Sequence, residues 1–599
     1  FQAEDGIRDV ERSRGLGDVY KRQPLKCRVV GLQKNVPKEY LPPKEYSPEY
    51  IVTLPELARW SARRTLNLGW FSLIRHIEEG RGDKVAVLDG DRKFTWNELL
   101  KEVAITANAL KELGIEEGSG DRVAIKLDNI AEFIIANFAC WMMNCVPVLM
   151  MPLLGVPEMT YILQNSEAKA IIAGARFTED IDKLKSKVET IPKDNYIIVG
   201  GERDGWLKWE DWRKGKSDKI QPYPDTDPMD VAMLIYTSGT TGLPKGVIHT
   251  HWDLGPAALC HAKYVLGLNP DCVGGGHPTF GFFFGYFNII CEGGATGAAM
   301  SCIGPRRKSI EEDMFEVIEK HRITHIYAVP PVFKAMVESD KSKEYDLSSL
   351  KLAQSSAMYL PPETRKRWVE KFKVPILDSL GQSEVGYLLT TFVDTPPEKF
   401  AATGFPVPGY EARVVDPTTM EPVPTGEAGE LIIRGPTGYR YWRRPEKMQE
   451  SIWNGWSRAG LLYRRDEDGY YYYISRTDDV IITAGYKFPA TDVEQVLEKH
   501  PAVQEVAVVA SPHPERENVV KAYIVLKEGY KPSMELAKEL QEFTKKSVAP
   551  YKYPRRIEFV KSLPRTPTGK IAGGTLRKWE REKYGEKGEK PTPDIILGE

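Results

Sequence analysis

The sequence has few cysteines, no excess of either charge and no long uninterrupted apolar run. Its seven cysteines form no CxxC pair and match no zinc spacing, so we expect free thiols in a reducing compartment. The 82 Lys and Arg residues nearly cancel the 84 Asp and Glu residues, and this balance gives no electrostatic basis for binding nucleic acid. The most apolar stretch, 133–157, is interrupted by Asn137, Asn144, Pro147 and Pro152, whereas a membrane span needs about 20 apolar residues in a row. We therefore expect a cytoplasmic protein with no membrane span.

The length and composition indicate a globular protein with more than one domain. At roughly 100–200 residues per domain, 599 residues predict two or three domains. With 42% apolar and 28% charged residues, the composition excludes disorder as the main state. The nine histidines form no HExxH motif, and we expect the HxH pair His249 and His251 to be structural, because one pair is a poor metal site.

The first 23 residues differ from the rest of the chain. They contain no initiating methionine, no apolar signal-peptide core and no periodic pattern. They resemble translated adapter or vector sequence, so residues 1–23 are predicted to be a non-native leader and are left out of the fold prediction. The alternative is a genuine charged N-terminal arm.

Strand-like and helix-like segments alternate through the first half of the chain. A hairpin pattern turns at 89–91, and an amphipathic helix then ends at Gly114, as glycine favours the end of a helix. A buried helix at 132–143 precedes a buried strand at 146–151. This alternation predicts an α/β fold with largely parallel βαβ-type sheets covered by helices.

The pattern changes near residue 400. Short strand-like segments separated by turns predict a β-rich subdomain, and helices at 490–499 and 533–547 with strands between them predict a compact α+β unit. We predict an N-terminal domain over 24–477 and a C-terminal domain over 478–583. Residues 584–599 are rich in Gly, Pro, Lys and Glu and are expected to be a loose tail.

The most informative segment is YTSGTTGLPKG at 236–246, which directly follows an apolar strand. Its glycines and hydroxyl-bearing side chains expose backbone N–H groups and Oγ donors that suit phosphate oxygens, and Lys245 adds a positive charge. Gly246 follows that lysine where a Walker A loop needs Ser or Thr. The alternative is an ordinary Gly/Thr-rich turn.

This loop resembles the signature motif of the adenylate-forming superfamily, which includes acyl-CoA and aryl-CoA synthetases, peptide-synthetase adenylation domains and luciferases. Other segments resemble further motifs of that family in the same order, namely KFTWNELL, DSLGQSEVG, GELIIRG, SRTDDVIITAGYKF, APYKYP and PRTPTGKI. The resemblance covers about residues 35–580. It implies a large N-terminal adenylating domain and a small, mobile α+β C-terminal domain.

The resemblance implies a role in binding ATP for each matching residue. The residues that would cradle the β- and γ-phosphates are Thr237, Ser238, Gly239, Thr240, Thr241, Gly242 and Lys245. Ser383 stands where the family has a Thr at the α-phosphate, Glu384 where it binds Mg²⁺, and Asp378 at the adenine region. Arg476 would contact the ribose or a phosphate.

The resemblance also implies two half-reactions served by a moving domain. Asp478 would be the hinge about which the small domain turns. Lys570 would lie between the carboxylate and the α-phosphate during adenylation, and Gly485 would line the pantetheine tunnel during thioester formation. The predicted catalytic residues are thus Lys570, Glu384 and Thr240, and the predicted small molecules are ATP, Mg²⁺ and coenzyme A.

The acyl pocket is predicted to be aromatic. The segment HPTFGFFFG places Phe280, Phe282, Phe283 and Phe284 where the family builds its pocket wall, and Ala357 is predicted to narrow the pocket. Such crowding suits a flat ring or a short apolar chain. This stretch resembles that of benzoate- and 2-aminobenzoate-CoA ligases. The alternative is that each of these residues is a core aromatic on a buried strand.

The chain departs from the family pattern at three places. Leu461 stands where the family's TGD motif has an Asp that binds both ribose hydroxyls, and such a charged hydrogen bond is worth roughly 1.5–3 kcal/mol. Residues 355–358 replace an SxGE-like run, and Ser475 replaces the glycine before Arg476. We therefore expect reduced activity, errors in the sequence, or an unusual substrate.

The predicted function is an ATP-dependent, AMP-forming acid–CoA ligase that acts on an aromatic, benzoate-like or short-chain acid through an acyl-adenylate. The alternatives are a short- or medium-chain fatty acid–CoA ligase and a catalytically impaired nucleotide-binding homologue. The predicted partners are a carboxylic acid, ATP and CoA but no nucleic acid, and we expect a monomer or homodimer.

Overall fold

The computed structural model describes residues 34–37, 40, 50–52, 54–237, 244–305, 307–484, 486–565, 571–590 and 593–598. Within them the chain forms two large sheets covered by helices, a smaller antiparallel sheet and an α+β unit, which confirms the predicted fold class. The boundaries proposed for the leader and the two domains stay predictions.

The strands are numbered in chain order. They are β1 (Val85–Asp89), β2 (Arg92–Thr95), β3 (Arg122–Lys126), β4 (Val146–Leu149), β5 (Ala170–Gly174), β6 (Tyr196–Val199), β7 (Leu207–Lys208), β8 (Val231–Thr237), β9 (Lys245–Thr250), β10 (Val273–Gly276), β11 (Ala299–Cys302), β12 (His325–Ala328), β13 (Leu352–Ser356), β14 (Ile376–Gln382), β15 (Gly386–Thr390), β16 (Phe405–Pro406), β17 (Glu411–Val415), β18 (Ala428–Arg434), β19 (Ile452–Trp453), β20 (Trp456–Arg465), β21 (Tyr471–Arg476), β22 (Val480–Thr483), β23 (Tyr486–Pro489), β24 (Val503–His513), β25 (Glu517–Leu526), β26 (Arg556–Phe559) and β27 (Ile595–Ile596).

Within the described part of the chain, the helices include three π-helical segments. The α-helices are α1 (Pro55–Ser61), α2 (Trp96–Glu112), α3 (Ala131–Met142), α4 (Val156–Ser166), α5 (Thr178–Asp182), α6 (Trp209–Arg213), α7 (His251–Leu254), α8 (Leu259–Ala262), α9 (Phe283–Gly285), α10 (Glu292–Thr296), α11 (Ile310–His321), α12 (Pro330–Glu338), α13 (Pro362–Phe372), α14 (Pro445–Ser451), α15 (Thr491–Leu497), α16 (Met534–Ser547) and α17 (Gly573–Tyr584). The π-helical segments are Trp70–Ile74, Ile77–Arg81 and Tyr286–Cys291, and the 3₁₀ segments are Ala175–Phe177, Lys185–Lys187, Pro256–Ala258, Asp340–Glu344, Pro397–Lys399 and Thr477–Asp479.

Two large sheets form the first part of the chain. One has the strand order β7-β6-β5-β3-β4-β8-β9 and is parallel except between β8 and β9. The other has the order β16-β15-β14-β13-β12-β10-β11-β1-β2, with a parallel centre and antiparallel pairs at both edges. The βαβ pattern of the sequence therefore predicted the sheets correctly.

Short-range signals in the sequence define the first elements. The β1–β2 hairpin turns at Gly90, whose φ of 59° suits a residue without a side chain. Helix α2 begins with a capping box, in which the Thr95 side chain accepts from the Glu98 N–H and the Glu98 side chain accepts from the Thr95 N–H. The chain leaves this helix through Gly114 at a φ of 78°, as predicted.

Residues 133–150 of the most apolar stretch of the chain are buried, whereas Leu153 near its end is 72% exposed. Helix α3 is twelve residues long, and of its residues all but Glu132 are buried. In the part of the chain that the structure describes, no helix combines the length and apolarity needed to cross a membrane.

The antiparallel strands after residue 400 form the β-rich subdomain that was predicted there. Strands β17, β18, β20 and β19 lie side by side, and β21 pairs with β20. The α+β unit follows with the order β24-β25-β26-β27, beside the β22–β23 hairpin. It has an apolar core of its own, which includes Ile481, Val493, Leu497, Val506, Ile524, Leu540 and Phe559.

The chain beyond Lys583 is not loose where the structure describes it. Tyr584 is fully buried, and β27 extends the last sheet because Ile595 pairs in parallel with Ile557. Arg556 Nε also donates to Asp594 Oδ1 at 3.0 Å. The prediction for this segment was wrong because two isoleucines and a tyrosine anchor a stretch whose average composition is polar.

Candidate active site

The glycine-rich loop joins two antiparallel strands at one edge of the seven-stranded sheet. Strand β8 pairs with β9 down to Thr237 and Lys245, so the sheet holds both ends of the loop together. Every residue of β8 before Thr237 is buried, which fixes this strand in the core. Ser238, Gly239, Thr240, Thr241 and Gly242 lie outside the described residues, and their roles stay predictions.

A second hairpin lies against the first. Ser383 and Glu384 form part of the connection between β14 and β15. His249 Nε2, on β9, donates to the Ser383 carbonyl at 2.6 Å and thereby joins the two hairpins. His251 is bonded elsewhere, to the Leu68 N–H and the Asn144 side chain, so the two histidines do not act as a pair.

Opposite charges converge beside these hairpins. Tyr441 OH donates to Glu384 Oε1 at 2.9 Å, and the Lys245 ammonium lies 6.0 Å from the centroid of the Tyr441 ring. Lys245 and Arg476 each interact electrostatically with Glu384. We refer to Lys245, Glu384, Tyr441 and Arg476 as the charged cluster.

Burial is the main cause of the pKa shifts of Glu384 and Lys245 in the charged cluster. It raises the pKa of Glu384 above its usual value, although the Tyr441 hydrogen bond and the two cations oppose this shift. Burial likewise lowers the pKa of Lys245, with a contribution from Lys447, while Glu384 opposes that shift. Each charge in the cluster therefore depends on its neighbours, as is common at functional sites.

The predicted hinge residue connects the subdomain with the C-terminal unit. Asp478 accepts from Arg476 Nε at 2.8 Å and from Arg577 Nη2 at 3.3 Å. Although burial opposes it, the hydrogen bond with Asp478 raises the pKa of Arg476. Arg577 lies on α17 and also bonds Asp479, so ion pairs join the two parts of the chain at this point.

Asp378 lies on β14, on the same strand that leads to Glu384. It is buried, and burial raises its pKa to about 7 although the Arg365 charge opposes the shift. Its backbone N–H donates to Thr391 Oγ1 at 2.8 Å. The structure therefore places this carboxyl inside the sheet region and does not join it to the charged cluster.

Two of the four predicted pocket phenylalanines face the hairpins. The Phe283 ring stacks on the His249 ring at 4.6 Å with an interplanar angle of 11°. Phe284 lies edge-on to Tyr387 at 6.5 Å. These rings therefore line the side of the site next to Ser383 and Glu384.

The other two phenylalanines are placed differently. Phe280 is fully buried and packs edge-on against Phe133 of α3 at 5.5 Å, whereas Phe282 is only partly buried. The segment is not a strand, as the core-aromatic alternative assumed. Phe280 and Phe282 precede the short helix α9, which begins at Phe283 and continues into a π-helix.

The departures from the family pattern lie close to the same place. Ala357 directly follows β13 and has a φ of 73°, a left-handed conformation that is strained for a residue with a side chain. Leu461 is buried on β20 and pairs with Arg476. Gln382 Nε2 donates to the Ala459 carbonyl at 2.9 Å, which joins the end of β14 to β20.

The sequence motifs did not reveal every residue of the site. Gly485 and Lys570 lie outside the described residues, so their roles stay predictions. Tyr441 was missed although it follows the recognised GELIIRG segment by only a few residues. His249 was noticed only for its HxH spacing, and no pattern in the sequence pointed to its contact with Ser383.

Comparison with known families identifies the chain. A family model described as AMP-binding enzyme matches residues 74–442, and one described as AMP-binding enzyme C-terminal domain matches residues 492–570. The chain belongs to the AMP-binding enzyme family.

Individual relatives agree with this assignment. Benzoate–CoA ligase of Thauera aromatica is 32% identical over 506 residues, which are 84% of this chain and 94% of the relative. Mitochondrial acyl-coenzyme A synthetase ACSM3 of Mus musculus is 31% identical over 470 residues, covering 77% of this chain and 80% of the relative. The crystal structure of the anthranilate CoA ligase AuaEII in complex with anthranoyl-AMP is 29% identical with a TM-score of 0.76, covering 87% of this chain and 99% of that one. The predicted family and fold class are confirmed.

Proposed function

We propose that this chain is an AMP-forming ligase that joins an aromatic carboxylic acid to coenzyme A through an acyl-adenylate. The observation that carries the proposal is one site in which Lys245, Glu384 and Arg476 meet beside the stacked rings of Phe283 and His249. Charges suited to a nucleotide and a flat apolar surface suited to an aryl ring thus lie next to each other.

The first half-reaction brings two negatively charged groups together. A carboxylate oxygen attacks the α-phosphorus of ATP, the bond to the β-phosphate oxygen breaks, and the products are acyl-AMP and pyrophosphate. The barrier arises largely from like-charge approach, so fixed cations lower it. Lys245 and Arg476 supply such cations in the described part of the site, and Thr237 begins the loop proposed to hold the β- and γ-phosphates.

The donors at Glu384 fit a magnesium ion. Tyr441 OH donates to Glu384 Oε1, and a carboxylate has lone pairs left to serve as an oxygen ligand. Mg²⁺ is usually bound by one or two carboxylates together with substrate phosphates. When bound there, the ion would neutralise phosphate charge, while Tyr441 keeps the Glu384 carboxylate oriented.

The second half-reaction transfers the acyl group to sulfur. The CoA thiolate attacks the acyl carbon, and AMP leaves with the electrons of the carbon–oxygen bond. We assign Asp478 as the hinge, Lys570 as the adenylation lysine and Gly485 as part of the pantetheine tunnel on the basis of their motifs. The ion pairs of Asp478 with Arg476 and Arg577 support a role at a boundary between moving parts.

The acid is proposed to be benzoate-like because the ring pair at Phe283 favours a flat substrate. The similarity to mouse acyl-coenzyme A synthetase ACSM3 favours a fatty acid as the second candidate. The buried Leu461 favours the third, a nucleotide-binding homologue with impaired catalysis. A cytoplasmic location and a monomeric or homodimeric state remain predictions.

Acid-dependent exchange of pyrophosphate into ATP tests the proposal. Benzoate or a substituted benzoate should support exchange with a higher kcat/KM than hexanoate, and addition of CoA should yield AMP and a thioester. Glu384→Gln, which keeps the shape but removes the charge, should abolish the exchange. Preference for hexanoate or longer acids would contradict the aryl assignment, and no exchange with any acid would contradict ligase activity.

A further inference from the structure

Five polar side chains form a closed network behind the aromatic wall of the site. Asn288 Nδ2 donates to Glu292 Oε2 and to Gln354 Oε1, each at 2.9 Å. His261 connects the Glu292 and Gln354 side chains to each other: its Nδ1 lies 2.7 Å from Glu292 Oε1, and its Nε2 lies 3.1 Å from Gln354 Nε2. Tyr387 OH donates to Asn288 Oδ1 and completes the network. All five side chains are at least 95% buried.

The donors and acceptors of this network match one another. Gln354 Nε2 can only donate, so His261 Nε2 accepts and the neutral ring carries its proton on Nδ1, facing Glu292. Both hydrogens of the Asn288 amide are used, and its oxygen accepts from Tyr387. A buried hydrogen-bond network of this kind is rigid, and removal of one member leaves its neighbours without a hydrogen-bond partner.

The network holds the Tyr387 ring, which belongs to β15, against β14 of the same hairpin that carries Glu384. The His261 ring stacks on one side of the Tyr387 ring at 4.0 Å. Tyr387 also pairs with Gly381, and a Cβ at Gly381 would lie only 3.0 Å from Tyr387 Cε1. The Tyr387 ring is therefore packed between the network and the strand that leads to Ser383.

A π-helical turn makes this arrangement possible. Phe287 and Asn288 are consecutive residues of the π-helix Tyr286–Cys291, yet both contact Tyr387. The centroid of the Phe287 ring lies 6.0 Å from that of the Tyr387 ring, and the Asn288 amide oxygen accepts a hydrogen bond from Tyr387 OH. Phe287 also lies 5.2 Å from Phe283. Such turns are rare and occur frequently at functional sites.

We propose that this network is a specificity-determining device, in which Asn288 positions Tyr387 and Phe287 so that the end of the acyl pocket cannot expand. It rests on the proposed function, because it assigns a role in the acyl pocket of that ligase. The substrate class that follows is a small, unextended aromatic acid, and acids with a substituent opposite the carboxylate are excluded by the wall.

The test compares two isosteric variants that each lose one buried Tyr–Asn hydrogen bond. Tyr387→Phe removes the bond to Asn288, and the control Tyr286→Phe removes the 2.8 Å bond to Asn137 on the other side of the same π-helix. Both variants should lower the midpoint temperature of thermal unfolding. Only Tyr387→Phe should raise the ratio of kcat/KM for 4-ethylbenzoate to that for benzoate, by about tenfold. Its KM for ATP should stay within about twofold of the wild type.

Asn288→Ala provides a second, stronger perturbation. In folded protein it should raise the same ratio at least as much as Tyr387→Phe. The proposal is overturned if the ratio stays at the wild-type value in both variants, or if Tyr286→Phe changes it equally. A wild-type chain that adenylates no acid would instead overturn the proposed function itself. A wild-type chain that adenylates acids but prefers alkyl acids would overturn the small aromatic substrate class inferred from the network.

Discussion

Replacing Leu461 by aspartate is expected to strengthen ATP binding, because it returns a carboxylate to a position beside the charged cluster. Leu461 is 8% exposed on β20 and pairs with Arg476 on β21. Directly opposite residues of antiparallel strands have Cβ atoms about 4.5–5.5 Å apart, so the new carboxylate would lie within reach of the Arg476 guanidinium. That cation offsets the desolvation penalty that an unpaired buried carboxylate would incur.

The expected magnitude follows from hydrogen bonds to the ribose. A hydrogen bond to a charged group contributes about 1.5–3 kcal/mol. Part of this gain is lost because Arg476, now bonded to Asp478, would divide its interactions between two carboxylates. We therefore expect Leu461→Asp to lower the KM for ATP by about tenfold, equivalent to about 1.4 kcal/mol. The KM for the acid should change little.

The assay is pyrophosphate exchange at varied ATP concentration, with Leu461→Asn as the matched neutral control. The same measurement with an ATP analogue that lacks both ribose hydroxyls should show no gain for Leu461→Asp. An unchanged KM for ATP would refute the reasoning, and so would an equal gain with the analogue. A residue other than the one at position 461 would then bind the ribose.

Three further predictions concern individual groups of the site. Lys570→Ala should lose pyrophosphate exchange by orders of magnitude but still convert supplied acyl-adenylate and CoA to product; equal loss in both half-reactions would contradict its assignment to adenylation. Tyr441→Phe removes a hydrogen bond that lowers the pKa of Glu384, so the acid limb of the pH profile of kcat/KM for ATP should move to higher pH; an unmoved limb would show that the ionisation of Glu384 does not control it. Burial raises the pKa of Asp378 to about 7, whereas the pKa of an aspartate in the unfolded chain is about 4. Between these two pKa values only the folded state keeps the proton, so the stability that this proton contributes is lost as the pH rises from about 4 to about 7. The midpoint temperature of thermal unfolding should therefore fall less for Asp378→Asn than for the wild type between about pH 5 and about pH 8. Parallel plots of this midpoint against pH for the two proteins would contradict the prediction.

Features that depend on neighbouring residues could be predicted from the sequence. Gly90 and Gly114 were located correctly because turn and helix-end conformations follow from local backbone preference. Helix α2 begins where the Thr95–Glu98 capping box lies, three residues apart in the chain. Lys245 and Glu384 were recognised because each lies inside a motif of contiguous residues.

Features that depend on distant contacts could not be predicted. Tyr441 binds Glu384 across 57 residues of chain, and His261 binds Gln354 across 93. Neither pair is marked by any spacing, since the tertiary fold alone brings them together. The same holds for Ile595, which is ordered by pairing with a strand nearly 40 residues earlier, as the register with Ile557 shows.

Transfer of an oxygen atom from the acid to AMP tests the central claim most directly. In the proposed reaction a carboxylate oxygen attacks the α-phosphorus, and AMP keeps that oxygen when the acyl group passes to CoA. Benzoate labelled with heavy oxygen in its carboxylate, incubated with the enzyme, ATP and CoA, should yield AMP with one labelled oxygen and unlabelled pyrophosphate. Release of ADP and phosphate, or of AMP without label, would contradict an acyl-adenylate intermediate.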